Sequence, residues 1–272
     1  MHLIAKLIFV LLLVIFSSTT VADDYFLSSP AESGGTDAEC DDSTEDCFEK
    51  WAGGVEFGYV AVTGNQDTTS LNARFALAYE LEKWRHAGFI SVVTSSTEEE
   101  INNVLVKTDA EKLTAQAKSD YKFSKKGYAF GIYDYDETKD SGFEYQSSFA
   151  AGFGYRFIKN KKHTLDGELG LGSRTSKTEA TPTIPSASNT ETITRLAGKY
   201  LWKISKTSNF EQKLSTEIGD DNTITKSYSG LSANIFEDLA LKVSYTIKDQ
   251  SDVPPDTAKR ETITAFTIVY SF

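Results

Sequence analysis

The chain of 272 residues is poor in several things. It has two cysteines, three histidines, five prolines and one methionine, and its 28 basic residues are outnumbered by 39 acids, for a formal net charge of -11. That deficit of basic charge excludes the electrostatic footprint by which proteins hold nucleic acid. Past residue 22 there is no uninterrupted apolar stretch of the about 20 residues a membrane helix needs, so nothing downstream is expected to cross a bilayer as a helix. The remainder is either soluble or crosses as strands, whose alternation hides them from a hydropathy scan. Two thiols without a histidine beside them make an incomplete metal site.

What is present begins with an export signal. His2 and Lys6 precede the apolar run Leu7 to Phe16, which is too short to span a membrane, and Thr20-Val21-Ala22 supplies small residues for cleavage. Residues 1–22 therefore read as a cleaved secretory signal peptide, and with no cysteine after the cleavage point a lipid anchor is not expected there. Residues 23–49 are acidic, rich in Ser and Gly, and without periodicity, which reads as a flexible periplasmic segment. Cys40 and Cys47 both lie in it, and in an exported chain their expected fate is a local disulfide.

From residue 50 to 272 the chain settles into alternating segments of about ten residues, and about twelve of them can be counted. Phe143 to Phe157 is the clearest: Phe143, Tyr145, Phe149, Phe153, Tyr155 and Phe157 fall on one face, and Glu144, Gln146, Ser148 and Arg156 on the other. The last twelve residues put Phe266, Ile268, Tyr270 and Phe272 on one face of a strand that ends on an aromatic residue, as the final strand of an outer-membrane barrel does. Thirteen Tyr, seventeen Phe and three Trp fit strands with interfacial aromatics. The fold expected is all-β, a transmembrane antiparallel up-and-down barrel of about 12 strands.

Parity then assigns the inward charges, because a basic residue facing lipid at mid-depth costs about 2–4 kcal/mol. Glu56 and Arg74 fall inward on the first two segments, and Lys118 and Asp120 on the fourth. Glu144, Arg156, Asp166, Glu168 and Arg174 follow on the sixth and seventh. Arg195, Lys199, Glu211, Lys213, Glu217 and Lys242 complete the lumen-lining set. The first, third and fifth segments carry apolar residues on both faces. Short connections such as Lys159 to Lys162 are expected at the periplasmic end. Longer ones, among them Ser95–Glu111, Asp136–Gly142 and Ser173–Glu191, are expected outside the cell, with both termini periplasmic.

Motifs in these segments carry a resemblance. Gly64-Asn65-Gln66-Asp67-Thr68-Thr69-Ser70, Lys83-Trp84-Arg85-His86, Ser119-Asp120-Tyr121-Lys122, Gly152-Phe153-Gly154-Tyr155-Arg156, His163-Thr164-Leu165, Asp221-Asn222-Thr223 and the terminal Tyr270-Ser271-Phe272 are together specific. Over about Trp51 to Phe272 the chain resembles the salt-induced outer-membrane protein family, which rests on a domain of unknown function. The resemblance implies an outer-membrane location in a Gram-negative cell and a link to ionic or acid stress, with no substrate or reaction to carry over. Resemblance to outer-membrane proteins generally also implies that Tyr270 and Phe272 belong to the signal read by the barrel assembly machinery.

Chemistry other than passage finds little support. Barrel hydrolases need a Ser–His or Asp–His pair near the outer leaflet. His2 leaves with the signal, and His86 and His163 sit beside expected periplasmic turns, so no enzyme activity is expected. Asp134 to Asp140 alternates acids but lacks the central Gly and closing Glu of a helix-loop-helix calcium loop. The pairs Gly152/Gly154 and Gly170/Gly172 lack phosphate-loop spacing and read as room for long lumen side chains. No cofactor is implied. The expected partners are outer-membrane lipid and lipopolysaccharide, the assembly machinery, and small solutes or ions. The function expected is a narrow small-solute or ion channel, the alternative being a closed structural or adhesin-like barrel without transport. The acidic segment 23–49 is a candidate plug for such a lumen.

Overall fold

The computed structural model describes residues 50–62, 66–101, 104–139, 141–180, 185–254 and 257–272. The signal, the acidic segment and the Cys40–Cys47 pair lie outside the described residues. In chain order the strands are β1 (Lys50–Val62), β2 (Gln66–Glu80), β3 (Trp84–Ile101), β4 (Val104–Lys122), β5 (Gly127–Thr138) and β6 (Phe143–Lys159). They continue with β7 (His163–Thr178), β8 (Ser188–Lys203), β9 (Ser208–Gly219), β10 (Thr223–Asn234), β11 (Leu239–Gln250) and β12 (Arg260–Ser271). Each pairs antiparallel with its neighbours in sequence, and β1 pairs with β12 from Gly54↔Ser271 to Phe57↔Ile268, so the twelve strands close into one barrel. Closure leaves no sheet edge.

The side-chain pattern is that of a soluble protein turned inside out. Phe153 and Leu171 on the outside are 69% and 66% exposed, whereas Arg174 and Asp120 on the inside are each 1% exposed. Period-two alternation produces this directly, since neighbouring side chains on a strand point to opposite faces. The apolar exterior is bounded by two sets of aromatics. At the end holding the short turns, Trp51 stacks on Tyr79 with ring centroids 4.3 Å apart, and Trp84 lies 5.1 Å from Tyr121. At the other end Tyr135 stacks on Tyr145 at 5.9 Å. Tyr145 and Tyr155 both lie on β6. Ten residues at about 3.4 Å each, tilted by about 40°, separate them by about 26 Å, close to the apolar height of an outer-membrane barrel.

The short turns are built from local hydrogen bonds. Asn160 Oδ1 accepts from the backbone amides of Lys162 and His163 at 2.9 and 2.8 Å, and Ser124 Oγ accepts from the Gly127 amide at 2.7 Å. Asn and Ser favour such positions because their side chains mimic a backbone turn. Both chain ends described, Lys50 and Phe272, lie at this same end of the barrel.

Three connections differ from expectation. Ser95–Glu111 is largely paired rather than looped: β3 and β4 continue in register from Ser95↔Ala110 to Ile101↔Val104, a hairpin that extends the wall. Its polar and charged residues read as a loop, yet β-branched Thr97 and Ile101 on one arm and Val104, Val106 and Thr108 on the other suit a strand. Asp136 lies inside β5, facing inward, rather than in the connection that follows. Strands β7 and β8 extend to Thr178 and from Ser188, which shortens the connection between them.

The mixed faces of the third and fifth segments also find their reason. Tyr128, Phe130 and Ile132 point inward from β5 and form a buried apolar cluster with Ala150. Phe89 points inward from β3 beneath Arg74, whose guanidinium lies 3.8 Å from the ring centroid. The neighbouring strands β6 and β7 supply a floor of small residues beneath these rings. Tyr128 lies across Gly154, where a Cβ would fall 2.1 Å from the ring. Side chains fill this part of the lumen.

Candidate functional site

The lumen is organised in layers of ion pairs. Nearest the short turns, Arg85 on β3 donates to Asp120 on β4 through Nε at 2.8 Å and through a second, shorter bond. Lys118 lies 3.3 Å from Asp120 and reaches over two strands to Glu168 on β7, which also accepts the Tyr128 hydroxyl at 2.8 Å. Arg156 and Asp166 form a two-pronged pair at 2.8 and 3.0 Å. Ions taken this far from water are tolerated only where partners and hydrogen bonds satisfy them, and this network supplies both.

A second layer occupies the β8–β11 wall together with β1 and β2. Glu56 takes Lys242 and, at 3.9 Å, Arg74. Glu211 takes Lys213 at 3.2 Å and Lys199 at 3.4 Å. The Tyr228 ring lies between the two groups, with Lys213 Nζ 5.3 Å and Lys242 Nζ 6.0 Å from its centroid.

A third layer stands toward the long connections. Glu217 receives Arg195 at 3.1 Å, Arg174 at 3.5 Å and the Ser148 hydroxyl at 2.9 Å, while Arg174 also holds Glu191 at 2.6 Å. Asp134 accepts from Gln116 at 2.6 Å and lies 3.5 Å from Arg195.

Beyond it the walls meet. Asp136 on β5 receives Lys226 from β10 and stands 3.4 Å from Lys248 of β11. In a ring of twelve strands β5 and β11 are diametrically opposed, so this contact spans the lumen. Lys248 also donates to Gln146 at 2.8 Å, Gln146 to Gln250 at 3.0 Å, and Lys112 on β4 to Glu261 on β12 at 2.6 Å. At the same mouth the β11–β12 connection sets Pro254 and Thr257 against Gly142 of the β5–β6 connection, again from opposite sides. Below the crossing lies a cavity of about 260 Å³, whose lining includes Asp136, Glu217, Lys199, Lys213, Tyr228 and Lys242.

The structure places the charges assigned by parity as follows. Glu56, Arg74, Lys118, Asp120, Arg156, Asp166, Glu168, Arg174, Arg195, Lys199, Glu211, Lys213, Glu217 and Lys242 all take part in the interior pairs just described. Glu144 does not: a register shift between Phe143 and Tyr145 breaks the alternation, and Glu144 stands exposed at the rim with Lys177 at 2.6 Å. A bulge re-aims a side chain in this way because one extra residue reverses the faces beyond it. Sequence reading missed Arg85, Asp134, Asp136, Lys226, Tyr228 and Lys248. Parity extended along β3, β5, β10 and β11 would have found each of them. Tyr270 and Phe272 face outward at the end where the barrel closes, the Phe272 amide and carbonyl bonding Gly53 at 3.0 and 2.9 Å.

An even-stranded closed antiparallel barrel, apolar outside, ringed by aromatics and charged within, is a transmembrane β-barrel of the outer-membrane type. Within that class the chain belongs to the family described as protein of unknown function DUF481, whose model matches residues 55–272. It is similar to the uncharacterized protein YdiY of Escherichia coli strain K12, with 27% identity over 212 residues covering 77% of this chain and 78% of that one. Among solved structures it is similar to the translocator domain of the autotransporter NalP from Neisseria meningitidis, at 10% identity and a TM-score of 0.47, covering 85% of this chain and 90% of that one. An outer membrane channel from Pseudomonas putida F1 is similar at 11% identity and a TM-score of 0.45, covering 84% and 99%. Neither likeness carries an argument about function.

Proposed function

We propose that this protein is a narrow channel for small solutes or ions in the outer membrane of a Gram-negative cell, exported by a cleaved signal peptide, with both termini periplasmic. The observation that carries the reading is the lumen itself: a charged cavity of about 260 Å³, continuous with three layers of ion pairs and narrowed by the Asp136 crossing. A barrel of twelve strands lies between the eight that side chains fill and the sixteen that leave an open pore. Opposed acids and bases along a confined wet path are how channels select among small charged solutes. Short turns at the end carrying both described chain ends support the orientation.

A catalytic role gains no support from the histidines. His86 pairs with Ser119 at 2.9 Å and His163 with Tyr200 at 2.8 Å, both among the aromatics of the short-turn end. Planar-bilayer recording of refolded protein tests the channel: discrete conductance steps are expected, and reproducible silence from folded, heat-modifiable protein contradicts it.

A further inference from the structure

The second layer of the lumen holds more positive charge than its carboxylates balance. In the ion pairs described there, four cations, Arg74, Lys199, Lys213 and Lys242, meet two acids, Glu56 and Glu211. Lys199 and Lys213 are direct cross-strand partners, and like charges placed opposite one another destabilise a sheet. The cavity lining as a whole carries eight basic and six acidic side chains, with Glu211 behind Lys199 and Lys213 as a seventh acid, in a chain of net charge -11. Positive charge has been collected inside an acidic protein.

A neutral donor is aimed into the same place. Tyr228 faces Lys213 directly across β10 and β9, and its hydroxyl is buried without a hydrogen-bond partner among the described residues. The ring lies along its own strand because Gly230 has no side chain: a Cβ there would fall 2.6 Å from the hydroxyl oxygen. Buried polar groups in native proteins are nearly always satisfied, so an unpartnered hydroxyl beside excess cations marks where an acceptor belongs.

We infer that this layer is a binding site for a small oxyanion, a carboxylate or a phosphate, held by Arg74, Lys199, Lys213 and Lys242 and accepting a hydrogen bond from the Tyr228 hydroxyl. Two net positive charges suit a divalent or trivalent ligand. The volume, just below the about 300–1,000 Å³ of ordinary ligand pockets, restricts it to a small one. Glu56 and Glu211 hold the cations in place and repel a second acidic group, which favours a compact anion over an extended one. The inference rests on solutes reaching the lumen, as proposed above.

Isothermal titration of the refolded barrel in micelles at low ionic strength, with inorganic phosphate and separately with citrate, tests it. Saturable binding of at least one is expected, and which of them binds separates a phosphate site from a carboxylate site. Lys199→Gln/Lys213→Gln should weaken binding by roughly a hundredfold, since each of the two charged hydrogen bonds lost is worth about one decade. Tyr228→Phe should weaken it less, and Lys161→Gln in an exposed turn should leave it unchanged. Heat-modifiable migration certifies folding. No binding of either anion to folded protein overturns the site, as does equal affinity in the lysine variant. Where that variant does not fold, Tyr228→Phe decides, and affinity equal to that of the unaltered protein overturns the site. Binding with a silent bilayer removes the channel reading alone, and conductance without binding removes the site alone.

Discussion

Asp120 is the residue on which the short-turn layer depends. Its side chain is 1% exposed and serves both Arg85 and Lys118. Asp120→Asn keeps the shape but leaves two buried cations short of a counter-charge, and removal of one partner from a buried network costs about 3–5 kcal/mol. A urea midpoint lowered correspondingly is expected for the folded barrel, whereas an unchanged midpoint would mean that water reaches this layer and screens it. Gly154 makes the second residue-scale test. Gly154→Ala places a methyl against the Tyr128 ring, which must shift away from Glu168, an overpacking worth about 1–3 kcal/mol. The same urea titration reads it. Most inward charges were legible because parity is a strict rule on a regular strand. Glu144 was misread because a bulge breaks the rule, and Asp136 because acids beside Tyr and Thr resemble turn chemistry more than strand chemistry.

The strands themselves were legible from alternation, and the count of twelve agrees with the closed ring. What alternation does not mark is where a strand stops when its sequence is polar at odd and even positions alike, which is why β3 and β4 outrun the expected loop. If the extension beyond Ser95↔Ala110 is a projection of the wall and not part of its closure, replacing residues 97–108 by a short turn should leave a heat-modifiable barrel. Loss of folded protein on that trimming would show that the hairpin supports the ring. At the opposite end, β12 closes the barrel on β1, and the Phe272 ring covers Gly53, where a Cβ would fall 2.5 Å from it. Deleting Phe272 removes a reciprocal backbone pair and the aromatic terminus together. A reduced yield of assembled, heat-modifiable protein in the outer membrane is expected, and normal assembly would count against Tyr270 and Phe272 as an assembly signal.

At the scale of the whole molecule, the lumen is layered rather than uniform. Aromatic side chains over a glycine floor fill the lumen beside β5–β7, a charged cavity is lined from every strand but β6, and Asp136 bridges the walls above it. None of these cross-lumen pairings was legible in sequence, because residues 90 or more apart meet only once the ring has closed, and no local period records which walls face each other. The consequence is a definite level at which side chains meet across the lumen. Asp136→Ala removes the carboxylate that Lys226 and Lys248 share and leaves positive charge at that crossing. The most direct test is planar-bilayer recording of the unaltered protein and Asp136→Ala under a potassium chloride gradient. The account predicts discrete steps, a larger unitary conductance in the variant, and a reversal potential of the sign that marks anion preference. Silence from both folded proteins, or equal conductance with cation preference, would contradict it.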